Sequence, residues 1–321
     1  MERIDACLDG VKSVGIAGHI NPDGDCIGSS LAVYNYIAEN YPDIKVFVYL
    51  DKVPNLFKFL KNARRIKSAL SKEREHDLFF ALDCADLGRL GEAKKFYDAA
   101  KKTVCVDHHI SNAGFADERY IVPQASSTSE LVYNIMDPEK ISKGIAECLY
   151  VGIVHDTGLF QYSCTSSRTM EIAGALMDMG IDYSRIVDRT FFQKTFEQQK
   201  ILGVALSKAK LSHGGRIISC IITNEDMKAC SVAPRHLEGI VSQLRSTKGV
   251  DTAIFLYQNA EDGYKISMRS ERIADVSAVA SLYGGGGHVR AAGCTVKGIE
   301  PDVFMEEVIE RVGEYFGDES V

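Results

Sequence analysis

What the chain lacks narrows its reading first. No apolar run approaches the roughly 20 residues needed to span a bilayer; residues 151–154 and 217–222 are the most apolar short stretches. The first residues, Met-Glu-Arg-Ile-Asp-Ala, show neither the basic start nor the apolar segment of a signal peptide, so none is expected. The nine cysteines include no Cys-x-x-Cys pair. This disfavours a disulfide framework and a thiolate zinc site, and leaves reduced thiols in a cytoplasmic protein as the expectation. Positive charge is not in excess: 37 Lys+Arg stand against 44 Asp+Glu, a formal net charge of −7. Long duplex nucleic acid would be repelled on average. A small anion held by a few local charges or metals is not excluded. There is no P-loop pattern, no internal repeat, and no low-complexity tract beyond the glycine run at 284–287.

What is present is a globular mixture, 45% hydrophobic and 25% charged over 321 residues. That length favours two domains, because a single core stops growing at about 250–300 residues. In the first half, strand-like segments at 13–18, 45–50, 77–82 and 103–106 alternate with helix-like segments at 27–38, 91–100, 127–136 and 141–154. Such alternation predicts an α/β domain with a mostly parallel, doubly wound sheet. Its ligands should sit beyond the carboxyl ends of the strands. The pattern turns helical over 170–206 and then mixed again. Strands are expected at 216–223, 251–257 and 264–269, and helices at 234–244, 275–283 and 301–315. We expect domains at 1–190 and 210–321, the second a smaller α/β domain, with a helical connector at 191–209.

Four clusters of Asp and His carry the chemistry. Three follow predicted strands: His19 with Asp23 and Asp25, then Asp83, then Asp107-His108-His109. The fourth, His155-Asp156, ends an apolar stretch. A strand-end Asp is by itself most often a cap or turn residue. Together, unpaired carboxylates in one crevice would repel and raise one another's pKa, a conflict that divalent cations remove. Mixed Asp/His ligation suits Mn²⁺ or a similar ion better than Mg²⁺. Two such ions about 3.5–4 Å apart clamp the oxygens of a phosphoryl transfer. Asp83, alone on its strand, is the candidate bridge. In the second half, Gly285, Gly286 and Gly287 precede His288, and glycines let backbone N–H groups approach a phosphate closely. Ser267 and Arg269 add a hydroxyl and a guanidinium suited to a terminal phosphate. For Arg168, at a helix start, solvation and a phosphate contact weigh evenly.

These residues resemble the DHH phosphoesterase superfamily: His19, Asp23-x-Asp25, Asp83, Asp107-His108-His109 and Asp156, with Gly284–Gly287, His288 and Ala291-Ala292-Gly293 similar to the DHHA1 domain. Residues 126–130 and 152–162 are similar to the branch that degrades very short RNA, the nano-RNase or oligoribonuclease/pAp phosphatase type. The resemblance implies a DHH-like domain joined to a DHHA1-like domain. It implies one metal on His19, Asp23 and Asp83, and another on Asp25, Asp83, His108 and Asp156. It places His109 at the scissile phosphate and Asp107 behind it. His155 is left outside the metal shell. The implied substrates are di- to short oligoribonucleotides, giving nucleoside monophosphates, and 3′-phosphoadenosine 5′-phosphate (pAp). No membrane partner is implied, and a homodimer is left open. Cyclic di-AMP or linear pApA hydrolysis is the alternative; a catalytically silent nucleotide-binding protein is a second, disfavoured because every expected ligand is present. The GGGGH run argues against a pyrophosphatase of this superfamily.

Overall fold

A computed structural model describes residues 3–68, 74–259 and 263–317. The chain divides into two compact units, 1–193 and 194–321.

The first unit is built on five parallel strands: β1 (Ser13–Ala17), β2 (Lys45–Tyr49), β3 (Leu78–Leu82), β4 (Thr103–Asp107) and β5 (Glu118–Ile121), in the order β2-β1-β3-β4-β5. β3 and β4 are buried along their whole length, which is why β3 and the Val104–Val106 centre of β4 read as apolar runs rather than alternating ones. One face packs on the Gly24–Asn40, Thr128–Ile135 and Lys143–Asp156 helices. The other carries an aromatic cluster with Phe79, Tyr49, Phe96 and Tyr97. After β1 the chain steps outward to β2, then returns past β1 to β3. The order therefore reverses between β1 and β3, and their carboxyl ends open the crevice where α/β sheets bind ligands. His19 and Asp83 follow these two strands.

Some elements differ from expectation. The 91–100 helix is a 3₁₀ segment, Leu87–Ala93, followed by the short Lys94–Asp98 helix, because Gly91 breaks the helical path with φ +52°. β5 was not foreseen, since its half-buried residues show no clear period.

Below that aromatic cluster, His76 is fully buried. Its Nδ1 is 2.9 Å from the Ser13 hydroxyl and its Nε2 3.1 Å from the Tyr49 hydroxyl. Burial, with Arg74 adding to it, lowers its pKa to about 4. An unfolded His titrates near 6.5. The folded state thus refuses a proton that the unfolded state takes, and stability is full above about pH 6.5 and falls toward pH 4. The group's share of that loss is up to about 3 kcal/mol. Urea melts between pH 7 and 4.5 should show a smaller loss in His76→Phe than in wild type; parallel profiles would count against this account.

The second unit holds β6 (Lys210–Ser212), β7 (Ile217–Ile222), β8 (Thr252–Gln258), β9 (Gly263–Ser270), β10 (Gly286–His288) and β11 (Ala291–Lys297) in the order β10-β11-β9-β8-β7-β6. Only β7 and β8 run parallel among these pairs. The Phe196–Lys208 helix, read from sequence as a connector, is part of this unit: Ile201 and Ala205 are fully buried in its core. β10 and β11 were missed because β10 is Gly-Gly-His and β11 opens with Ala-Ala-Gly, which carry little strand signal. Register places Gly286 opposite Gly293 and Gly293 opposite Ser267, with His288, Ala291 and Arg269 in the next row of that face. Paired residues in such rows share a face, and Ile266 and Met268, which alternate with Ser267 and Arg269, are buried on the opposite one.

Candidate metal centre

The first-unit ligands converge from four segments. Asp23 caps the Gly24–Asn40 helix, its Oδ1 accepting the N–H groups of Asp25 and Cys26 at 3.1 Å each. The same oxygen lies 3.6 Å from His19 Nε2, so capping and a place in the cluster coexist. Asp83 directly follows β3 with φ +56°, a backbone state that non-glycine residues hold only when their surroundings impose it. Its Oδ2 lies 3.5 Å from His19 Nε2, and its Oδ1 3.7 Å from His108 Nε2 and 3.8 Å from His109 Nδ1. The two oxygens of one carboxylate thus address two separate groups of donors. His108 Nε2 is also 3.0 Å from Asp156 Oδ2, at the end of the Lys143–Asp156 helix. Asp25, His108 and Asp156 offer ligand atoms within 4.8 Å of one another, as do Asp83, His108 and His109.

Electrostatics shows what this arrangement wants. Burial, then the charges of Asp83 and Asp156, raise the pKa of Asp25 well above the usual range. Burial also raises that of Asp83. Burial alone would lower His19 and His108, but hydrogen bonds and charges from Asp23 and Asp83 on one, and from Asp156, Asp25 and Asp83 on the other, outweigh it and lift both to about 10. Protons on these imidazoles would offset the buried carboxylates. Divalent cations would do the same with more charge and at the same donor atoms. The donor set of oxygen and imidazole fits such ions. Cys26 joins His19 and Asp83 as a third possible donor, a group the sequence reading passed over. Burial holds its thiol well above the ordinary pKa, and its Sγ lies 3.8 Å from the His19 carbonyl.

Around the ligands lies a layer of hydrogen bonds. Asp25 accepts the backbone N–H groups of Thr128 at 2.7 Å and Ser129 at 2.9 Å, at the start of the Thr128–Ile135 helix, and the Thr128 hydroxyl donates to Asp83 at 3.2 Å. Asp107 holds His109 Nδ1 at 2.7 Å and accepts from the Asn112 amide at 2.7 Å. These bonds outweigh burial and keep the Asp107 carboxyl below its usual range; Asp107 in turn raises His109. Neither Asn112 nor the Thr128 and Ser129 amides were singled out from sequence as donors to these carboxylates, because a backbone donor leaves no residue signature. His155 stays outside every such group. Its buried Nε2 has no partner, its ring lies 4.4 Å from Phe191 and 5.0 Å from Phe57 between centroids, and burial lowers its pKa to about 4. The ring stands where a Cβ on Gly24 would be, 2.3 Å from its Cγ. His155 is therefore a neutral packing wedge against the Asp23–Asp25 turn.

Arg168 is engaged on its own unit, 2.8 Å from Asn134 Oδ1 and 3.3 Å from Glu171. In the second unit, Arg269 donates to the Met268 carbonyl at 2.9 Å, and His288 is exposed. Two of the glycines are required by packing: a Cβ on Gly285 would meet the Gly293 carbonyl at 2.4 Å, and one on Gly287 the Ala291 carbonyl at 2.4 Å. Gly286 faces open space.

This fold and cluster define a metal-dependent phosphoesterase. The N-terminal domain model of the DHH family matches residues 13–153, and the DHHA1 domain model matches residues 227–318; the chain belongs to the DHH–DHHA1 phosphoesterases. It is 28% identical over 302 residues to the bifunctional oligoribonuclease and PAP phosphatase NrnA of Thermus thermophilus, covering 93% of this chain and 89% of that protein. The protein of the same name from Bacillus subtilis is 25% identical over 283 residues, 87% of each chain. The cyclic-di-AMP phosphodiesterase PdeA of Listeria monocytogenes is 28% identical over 95% of this chain, which spans 48% of PdeA. The crystal structure of an exopolyphosphatase-related protein from Bacteroides fragilis superposes with TM-score 0.86 at 27% identity, covering 97% of this chain and 94% of that one. No helix among the described residues is long and apolar enough to cross a membrane.

Proposed function

We propose that the chain hydrolyses short oligoribonucleotides to nucleoside monophosphates and removes the 3′-phosphate of pAp, using two divalent cations, Mn²⁺ by the chemistry of the donors. The observation that carries this is the Asp83 carboxylate, with one oxygen toward His19 and the other toward His108 and His109. A carboxylate so placed fits the bridge between two ions. His19, Asp23 and Asp83 would hold one, and Asp25, Asp83, His108 and Asp156 the other. When bound, such ions supply charge neutralisation and an acidified water. The chain's own residues do the rest. Asp107 fixes the His109 ring through Nδ1, leaving Nε2 to hold or give a proton at the scissile group. Thr128 and Ser129 hold Asp25 still through backbone N–H groups that need no reorganisation. Ser267, Arg269, Gly285–Gly287 and His288 are proposed as substrate contacts, supported by the shared face that the register gives Ser267, Arg269, Gly286 and His288; Arg168 is proposed as a weaker phosphate contact. Nine cysteines, all free, fit a reducing, cytoplasmic setting.

The test is a panel with Mn²⁺: diadenylate, longer RNA, pAp, cyclic di-AMP, pApA and pyrophosphate. Turnover of diadenylate and pAp is expected, and turnover of pyrophosphate alone would overturn the reading. Hydrolysis of cyclic di-AMP or pApA is the second reading, supported by the likeness to PdeA; preference for those substrates would establish it. Arg269→Ala should raise KM about tenfold for phosphate-ended substrates with less effect on those lacking an end phosphate. Equal loss on all substrates would remove the end-binding role.

A further inference from the structure

A cavity of about 160 Å³ lies against His19 at the carboxyl ends of β1 and β2. Leu50, Leu90 and Ala93 supply buried apolar wall, Ile20 is partly exposed, and Asp51 and Glu92 stand exposed at the mouth. The wall is braced on both sides. The Ile20 N–H donates to the Arg89 carbonyl at 2.8 Å, and a Cβ on Gly91 would touch the Ile20 side chain at 2.5 Å. Behind the other wall the Tyr49 ring stacks on Phe96 at 4.2 Å, with its hydroxyl on His76.

Among the described residues the lining contains no Lys or Arg; its charged members are the carboxylates of Asp51 and Glu92, beside the imidazole of His19. Ionised carboxylates only accept hydrogen bonds, and they repel phosphate. The carboxylates therefore disfavour an anion and favour donors at the occupant's edge, and the apolar walls suit a flat group. His19 lines the cavity and belongs to the metal cluster, so an occupant joined to a group at the metal centre is within reach. A ribonucleoside meets each condition, through ribose hydroxyls and base N–H groups. We propose, resting on the function above, that this cavity binds the second ribonucleoside of a dinucleotide, the one joined through the scissile phosphate to the nucleoside that pAp also contains. The scissile phosphorus of diadenylate joins two nucleosides. That of pAp carries one, and the cavity stays empty when pAp is bound.

Substrate comparison reads this directly. Asp51→Asn combined with Glu92→Gln should raise KM for diadenylate about tenfold or more, and by a clearly smaller factor for pAp. Asp51→Lys should do the same. A lower KM in Asp51→Lys for either substrate would mean that the cavity takes a phosphate, and equal changes on both substrates would also overturn the proposal. Saturation-transfer NMR of adenosine with the metal-free protein gives a readout apart from turnover: signal in wild type, reduced in the double variant, is expected. No signal, or equal signal in both, overturns it. If wild type with Mn²⁺ hydrolyses neither substrate, the proposed function fails by itself, and the NMR result still decides the cavity.

Discussion

Asp83→Asn should lower turnover of diadenylate and pAp by at least about a thousandfold, while leaving the protein folded. The size follows from the position. Asp83 is 3% exposed on its side chain and faces His19 with one oxygen and His108 and His109 with the other. Asn keeps the shape but offers one acceptor where the carboxylate offers two, and it brings an NH₂ toward one of the donor groups. Loss of a shared ligand removes several kcal/mol of transition-state stabilisation, and each 1.36 kcal/mol is about tenfold in rate. Stability should move the other way. Without cations, Asp83 contributes to raising the pKa of buried Asp25, so removing its charge relieves repulsion. The metal-free variant should melt no lower than metal-free wild type, and Mn²⁺ should no longer raise its Tm as it does for wild type. Activity within a few-fold of wild type would refute the bridging role. A large drop in metal-free Tm would show a scaffold defect instead.

Gly152→Ala should destabilise the first unit by about 3 kcal/mol or more and weaken metal binding with it. The Gly24–Asn40 and Lys143–Asp156 helices meet at two glycines. A Cβ on Gly152 would stand 1.9 Å from Ser129 Oγ, 2.6 Å from its Cβ and 2.7 Å from Asp25 Oδ1; one on Gly28 would be 2.5 Å from the Cys148 carbonyl. Neither side can yield cheaply. Ser129 lies in the first turn of the helix whose N–H groups hold Asp25, and Gly28 closes the space behind. Overpacking of this kind typically costs about 1–3 kcal/mol, and more where backbone must shift. Tm should fall by roughly 2–4 °C per kcal/mol at this domain size, with a weaker Mn²⁺ isotherm because Asp25 is displaced. Gly174→Ala on the Ser167–Asp178 helix is the control: nothing lies within 4 Å of its Cβ, so it should be neutral or slightly stabilising. If both variants melt like wild type, the close approach is not what holds Asp25.

Much of this was legible because two periodicities and a few residue types carry it. β3 and the centre of β4, Val104–Val106, are apolar since both faces are buried, and an Asp or His at the end of such a run stands out against it. By contrast β10 is Gly-Gly-His and β11 opens with Ala-Ala-Gly, and the place of β11 in the sheet depends on its pairing with β9, more than twenty residues earlier. The 196–208 segment shows the same limit: its helical spacing is local, but its place in the second core depends on what packs against Ile201 and Ala205.

By itself, then, the sequence determined the alternating α/β plan and the identity of the Asp and His residues at the strand ends, because each is written in local pattern or composition. Tertiary structure alone decided which oxygen of Asp83 faces which histidine, that backbone amides of Thr128 and Ser129 and the Asn112 side chain hold the carboxylates, that His155 is a wedge, and that a cavity with acidic edges opens beside His19. The reason is physical: distances, backbone donors and empty space are relations between segments remote in sequence, and no residue type encodes them.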